Sequence, residues 1–129
     1  LEGAHLMIVS TGIMVHHALS VAQELSLHGV DTGVMDMYRL KPVDGDALTA
    51  AITGTHCIVT LEEHSVIGGL GSLVTEILTD SGRQMPVKRL GVPDHFTYSY
   101  GSREWLQSMN GLDVNSLVAT ILDGVSGKP

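Results

Sequence analysis

The sequence predicts an α/β domain built on a parallel sheet, and three observations carry that expectation. Apolar residues make up 43% of the 129-residue chain, yet there is one Phe and one Trp. The core must therefore be aliphatic, which suits parallel strands covered on both faces. Short β-branched runs alternate with segments whose apolar residues recur at helical spacing, the pattern of βαβ units. The third observation is the stretch from Thr60 to Thr75, T-L-E-E-H-S-V-I-G-G-L-G-S-L-V-T. A strand there ends in two acids and a histidine, and a glycine-rich turn leads into a helix. In open α/β sheets, ligands are met at such strand-to-helix turns.

Taken in order, His5 to Ser10 reads as the first strand, with Thr11-Gly12 as its turn. Val15, Ala18, Leu19, Ala22 and Leu25 then mark a helix from Met14 to Leu27, which Gly29 is placed to end in a left-handed conformation. Val30 to Met37 is the second strand. Asp44 is the expected N-cap of a short helix through Ile52, closed by Gly54. His56 to Leu61 is the third strand, and Glu62-Glu63-His64 is the polar elbow after it. The third helix runs from Gly68 to Thr79. Pro86 opens a brief fourth strand through Leu90, with an edge position expected. Ser102 caps a helix from Arg103 to Met109, and Asp113 caps a last one from Val114 to Leu122. A chain of this length forms one domain. Its core is expected from about residue 5 to 123, and a flexible tail over 124–129.

Composition excludes several function classes. The formal net charge is −7, and the seven Lys and Arg form no basic run. Nucleic acid and anionic membrane surfaces, which both need clustered cations, are not expected partners. No stretch of about 18 apolar residues exists to cross a bilayer. The single Cys57 cannot form an internal disulfide. With no basic-then-apolar leader at the start of the sequence, a cytoplasmic location is expected. No metal site is expected: His16 and His17 are neighbours on a helix and cannot chelate one ion together, and no C-x-x-C or H-x-x-x-H spacing occurs.

The glycine turn admits more than one reading. Gly69-x-Gly71 resembles the start of a dinucleotide fingerprint, but Val74 stands where the third glycine belongs, and no acid follows at the ribose position. A dehydrogenase is therefore disfavoured. Gly68, Gly69 and Gly71 can instead permit close packing of helix on sheet or on another subunit. Free N–H groups at the helix start could also hold a small anion, such as a sugar phosphate or nucleotide, in a regulatory module. Glu62, Glu63 and His64 could act in proton transfer. Three adjacent residues on an extended chain do not converge, however. The simpler expectation is that one acid caps or hydrogen-bonds the loop while another faces a partner.

Four ordered motifs carry a family resemblance. "HLMIVSTGIMVHHALSVAQELSLHGV", "VMDMYRLKPVD", "CIVTLEEHSVIGGLGSLVTEIL" and "RLGVPDHFTYSYGSREWLQSMNGLD" resemble, in that order, the C-terminal domain of transketolase-like thiamine diphosphate enzymes. The resemblance spans about residues 5 to 123. It implies a three-layer α/β/α domain with a mostly parallel five-stranded sheet and one antiparallel strand, the fifth expected near Phe96 to Tyr100. It also implies that thiamine diphosphate and Mg²⁺ belong to other domains of the assembled enzyme, with no cofactor site and no catalytic residue in this chain. The isolated chain is then expected to be inactive. Its role would be assembly with an N-terminal transketolase-type subunit or domains, and self-association, in an enzyme that transfers ketol units between sugar phosphates. The C-terminal domain of a 2-oxo acid dehydrogenase beta chain is the alternative within the same superfamily. The candidate contact residues, for partner or anion, are Thr11, Gly12, Glu62, Glu63, His64, Gly68, Gly69 and Gly71. Phe96 and Trp105 are the candidate interface anchors, with core burial as the competing reading of both.

Overall fold

A computed structural model describes residues 5–126. Four strands, β1 (Leu6–Ser10), β2 (Thr32–Asp36), β3 (Cys57–Ser65) and β4 (Val87–Val92), alternate with helices α1 (Met14–Leu27), α2 (Gly45–Ala51) and α3 (Leu70–Asp80). Two helices, α4 (Arg103–Met109) and α5 (Val114–Ser126), close the described chain. The sheet order is β2-β1-β3-β4 and every pairing is parallel. The chain therefore winds outward from β1 to β2, crosses back, and winds outward again through β3 to β4.

Alternation along the central strands divides the core in two. Leu6 and Ile8 of β1, with Val59 and Leu61 of β3, face a cluster built with α1 and α5. Met7, Val9 and Ile58 face the opposite cluster, built with α2 and α3. The aliphatic residues expected from composition thus fill both sides, in three layers. One detail of α1 differs from the expectation. Its buried stripe is Met14, Ala18, Val21, Ala22 and Leu25, while Leu19 is exposed. Met14 and Val21 complete the stripe, and Leu19, one residue on from Ala18, is turned about 100° away from it.

The expected caps form. Asp44 accepts the Ala47 N–H at 2.9 Å, Ser102 accepts that of Trp105 at 3.2 Å, and Gly29 takes φ +74° after α1. At α5, Asp113 accepts the Ser116 N–H at 3.1 Å and the Ser116 hydroxyl at 2.6 Å. The hydroxyl bond, then the backbone bond, favours the charged form and holds the Asp113 carboxyl below the usual aspartate range. The sign follows from linkage. A carboxyl with a lowered folded pKa stabilises fully above the unfolded pKa, and that stabilisation fades as pH falls through the folded value. Asp113→Ala should cost about 1 kcal/mol at neutral pH. In urea unfolding at a series of pH values, the gap from the parent protein should close as pH drops below the aspartate range.

Three expectations are corrected. β3 does not stop at Leu61; it continues to Ser65, so the acids lie within the strand. The sheet has four strands among the described residues, all parallel, and no antiparallel fifth. The chain bends at Asp94-His95, where the His95 N–H closes on the Pro93 carbonyl at 2.8 Å, and residues 96–100 stay exposed, with no backbone pairing among the described residues. Phe96, Tyr98 and Tyr100 of this run are all exposed. Helix α5 runs on to Ser126, so the first residues of the expected flexible tail are helical; 127–129 lie outside the described residues. No helix among the described residues is long and apolar enough to cross a membrane.

Candidate functional site at the glycine elbow

The elbow is built by an irregularity in β3. Against β4 the register runs Leu61↔Leu90 and then Ser65↔Val92, so four residues of β3 span the length of two in its neighbour. Extra residues in one strand re-aim the side chains around them. Glu62, Glu63 and His64 consequently go to three different surroundings.

Glu62 turns inward and is 1% exposed. Its Oε2 accepts the N–H of Leu70 at 2.7 Å and its Oε1 the N–H of Gly71 at 2.9 Å. The first N–H groups of a helix have no partner within the helix and carry its positive end. Gly69 occupies the N-cap position of α3 and has no side chain to offer. A carboxylate eight residues before Leu70 in sequence therefore does the capping, with two charge-assisted bonds.

That cap explains the glycines. A Cβ on Gly69 would run into the Glu62 carboxylate and approach the Ser65 carbonyl to 2.7 Å. On Gly71 it would meet the Thr60 hydroxyl at 2.7 Å and the Arg89 stem at 2.8 Å. Gly91 makes room from β4, where a Cβ would come within 2.9 Å of the His64 carbonyl. Gly68 takes φ +74° and donates its N–H to Ser72 Oγ at 3.0 Å. Arg89 ties the outside of the turn, donating to the Val66 carbonyl at 3.1 Å. Packing within the chain, rather than a nucleotide cradle, accounts for Gly69 and Gly71.

Glu63 points the other way, toward α4. Its Oε2 accepts from Gln107 Nε2 at 2.9 Å and lies 3.5 Å from Arg103 Nε. His64 is exposed and, with Glu63, Arg103, Gln107 and Asn110, lines a cavity of about 380 Å³ between the ends of β3 and β4 and helix α4. Thr11 and Gly12 sit at the same carboxyl-terminal end of the sheet, beyond β1. Thr11 donates to the Met37 carbonyl at 3.0 Å, toward β2, and Gly12 takes φ +61° with open space around it. The structure thus does not gather the candidate residues into one pocket. Glu62, Gly69 and Gly71 form one packed unit, Glu63 and His64 border the cavity, and Thr11-Gly12 belongs to the β1 turn.

The arrangement has little room for anion binding at α3, since the two N–H groups an anion would need are held by Glu62. The aromatics are also settled. Phe96 is 85% exposed and Trp105 is 44% exposed, its ring lying over Gly101, so core burial does not describe them. Sequence reasoning missed Gln107 and Arg89. Gln107 is buried in α4 against Met14 and Glu63, and a helix-period count through α4 would have placed it on the face shared with Leu106 and Arg103.

Comparison with known proteins adds a lineage. The sequence profile of the family described as "Transketolase, C-terminal domain" matches residues 1–117. The 1-deoxy-D-xylulose-5-phosphate synthase of Gloeobacter violaceus is 36% identical over 128 residues, covering 99% of this chain and 20% of that protein. One of the subunits of the apulose-4-phosphate transketolase of Phocaeicola vulgatus is 36% identical over 125 residues, covering 97% of this chain and 39% of that polypeptide. A solved structure titled "Split gene transketolase, inactive beta4 tetramer" superposes with a TM-score of 0.87 at 39% identity, covering 99% of this chain and 41% of that one. The chain thus spans between a fifth and two-fifths of the length of these relatives.

Proposed function

Because the chain belongs to the transketolase C-terminal domain family, we propose that it is the assembly domain, or the last part, of a thiamine diphosphate-dependent enzyme that transfers ketol units between sugar phosphates. The observation that carries this reading is the Glu62 cap. The most ligand-like feature of the sequence, a glycine-rich helix start, is occupied by the chain's own carboxylate. The elbow is then a structural unit whose outer surface is free to meet another domain.

The chain's own residues do not fit the cofactor. A diphosphate at the start of α3 would face the buried Glu62 carboxylate in place of open N–H groups. Among the described residues no group of three His, Cys, Asp or Glu is placed to hold Mg²⁺. We assign thiamine diphosphate and Mg²⁺, and the chemistry with them, to the companion chain or domains. The single Cys57 fits a reducing cytoplasm, where we place the assembly. His64 and Gly68, both exposed, together with the Thr11-Gly12 turn, are the proposed companion contact at the carboxyl end of the sheet. Phe96 and Trp105 are proposed as interface anchors, in keeping with the weight aromatics carry at interfaces.

The test is reconstitution. A companion chain supplying the thiamine-binding domains, mixed with this chain, should transfer ketol units to an aldose phosphate, while each chain alone should not. Full activity of the companion alone, or any turnover by this chain alone, would overturn the proposal.

A further inference from the structure

At the amino-terminal end of the sheet, the starts of β1, β3 and β4 and the last turns of α5 border a cavity of about 710 Å³. Small-molecule sites occupy about 300–1,000 Å³. The buried part of its lining is aliphatic and belongs to the core: Leu6, Ile58, Val59 and Ile121 are each at most 4% exposed. Its charged and imidazole groups are Lys88, His5 and His56, all exposed. The two histidine rings stack, with centroids 6.1 Å apart. His5 Nδ1 accepts the Asp31 N–H at 3.2 Å, so its ring proton sits on Nε2 as a donor. No Asp or Glu among the described residues lines this cavity, although the chain has 14 acids against seven Lys and Arg. The cavities beside α4 and α3 differ in this respect: Glu63 lines the first, and Glu76 and Asp80 the second.

We propose that this cavity binds a free carboxylate with an aliphatic body, of the medium-chain fatty acid class, its head at Lys88 and the histidine pair. The aliphatic lining takes the body, which gains by leaving water. Charge selects the head. One lysine balances one negative charge, and an imidazole N–H adds a donor to it. The second charge of a phosphate would go unmatched. Helix α5 sets the direction of the ligand. Gly124, in its last turn, borders the cavity, and the carboxyl end of a helix is negative. The head is therefore held away from α5, on the β4 side, and the body lies against Ile121. A cationic amphiphile would meet Lys88 with like charge. The cavity is at the opposite end of the sheet from Thr11, His64 and Gly68, so this site stands or falls independently of the companion contact.

Cys57, the single cysteine, lines the cavity and reports on it directly. Decanoate, kept below its micelle-forming concentration, should slow iodoacetamide labelling of Cys57 in the full chain. The slowing should be about tenfold once decanoate exceeds its dissociation constant about tenfold, and the melting temperature should rise with it. Decanol should protect less, and decyltrimethylammonium not at all. Lys88→Glu changes an exposed residue, so the unliganded protein should melt as the parent does, and protection by decanoate should be lost. Gly124→Trp is the second block, since a side chain there begins in open space at the cavity. With it, decanoate should no longer raise the melting temperature. Tyr38→Cys in a Cys57→Ser background, exposed beyond the other end of the sheet, should label at one rate with or without decanoate. No protection of Cys57 by decanoate would overturn the site. So would equal protection by all three amphiphiles, undiminished protection in Lys88→Glu, or shielding of Tyr38→Cys as strong as that of Cys57.

Discussion

Glu62→Ala should lower the stability of this domain by about 3 kcal/mol. The carboxylate makes two hydrogen bonds to the start of α3 while almost wholly shielded from water. A hydrogen bond to a charged group contributes about 1.5–3 kcal/mol, and a buried N–H left without a partner costs about 1–3 kcal/mol. Alanine removes both bonds and strands both donors. Glu62→Gln is the sharper test, because it keeps the shape. Its amide can accept from one N–H but must turn its own NH₂ toward the other, so a loss of about 2 kcal/mol is expected. Neighbouring Glu63→Gln should cost well under about 1 kcal/mol, since its partner Arg103 is largely exposed. Chemical denaturation of the three variants checks the ranking. A Glu62→Gln protein as stable as the parent would mean that Glu62 fills space and does not cap.

Gly69→Ala carries the second large effect, also about 3 kcal/mol, the full cost of the lost cap bonds. The backbone there, φ −94°, suits any residue, so strain in φ is not the cause. The cause is contact: the added methyl must displace the Glu62 carboxylate and press on the Ser65 carbonyl. Displacing the carboxylate undoes the cap, and the two substitutions therefore share one mechanism. In a double-mutant cycle, Glu62→Ala with Gly69→Ala should be less destabilised than the sum of the singles by about 1 kcal/mol or more. Strict additivity would show that Gly69 is needed for a reason unrelated to Glu62.

Much of the fold was legible because its signals are local. Helices α1, α2, α4 and α5 begin within a residue of the expected positions. An N-cap such as Asp44, Ser102 or Asp113 acts on N–H groups two or three residues away. Apolar periodicity likewise reports burial along a single element. The elbow was legible only in part. That one of the three polar residues would hydrogen-bond the loop followed from the alternation of an extended chain. That it would be Glu62, and that the strand would run on past it to Ser65, depends on the register with β4, which lies beyond the whole of α3 in sequence. The fifth strand failed for the related reason that a strand needs a partner as well as a pattern. Phe96 to Tyr100 has the pattern, and the described residues offer no partner.

The sequence by itself determined the order of strands and helices, the aliphatic core and the kinship with transketolase C-terminal domains. These rest on residue types and spacings within a turn or a strand, which any fold of this chain must respect. Only the tertiary structure decided that the acidic elbow is a sealed cap and that the aromatic segment stands open. A carboxylate becomes a cap, and an aromatic becomes surface, through what the rest of the chain brings within about 3 Å of it, and that proximity is a property of packing across long separations in sequence.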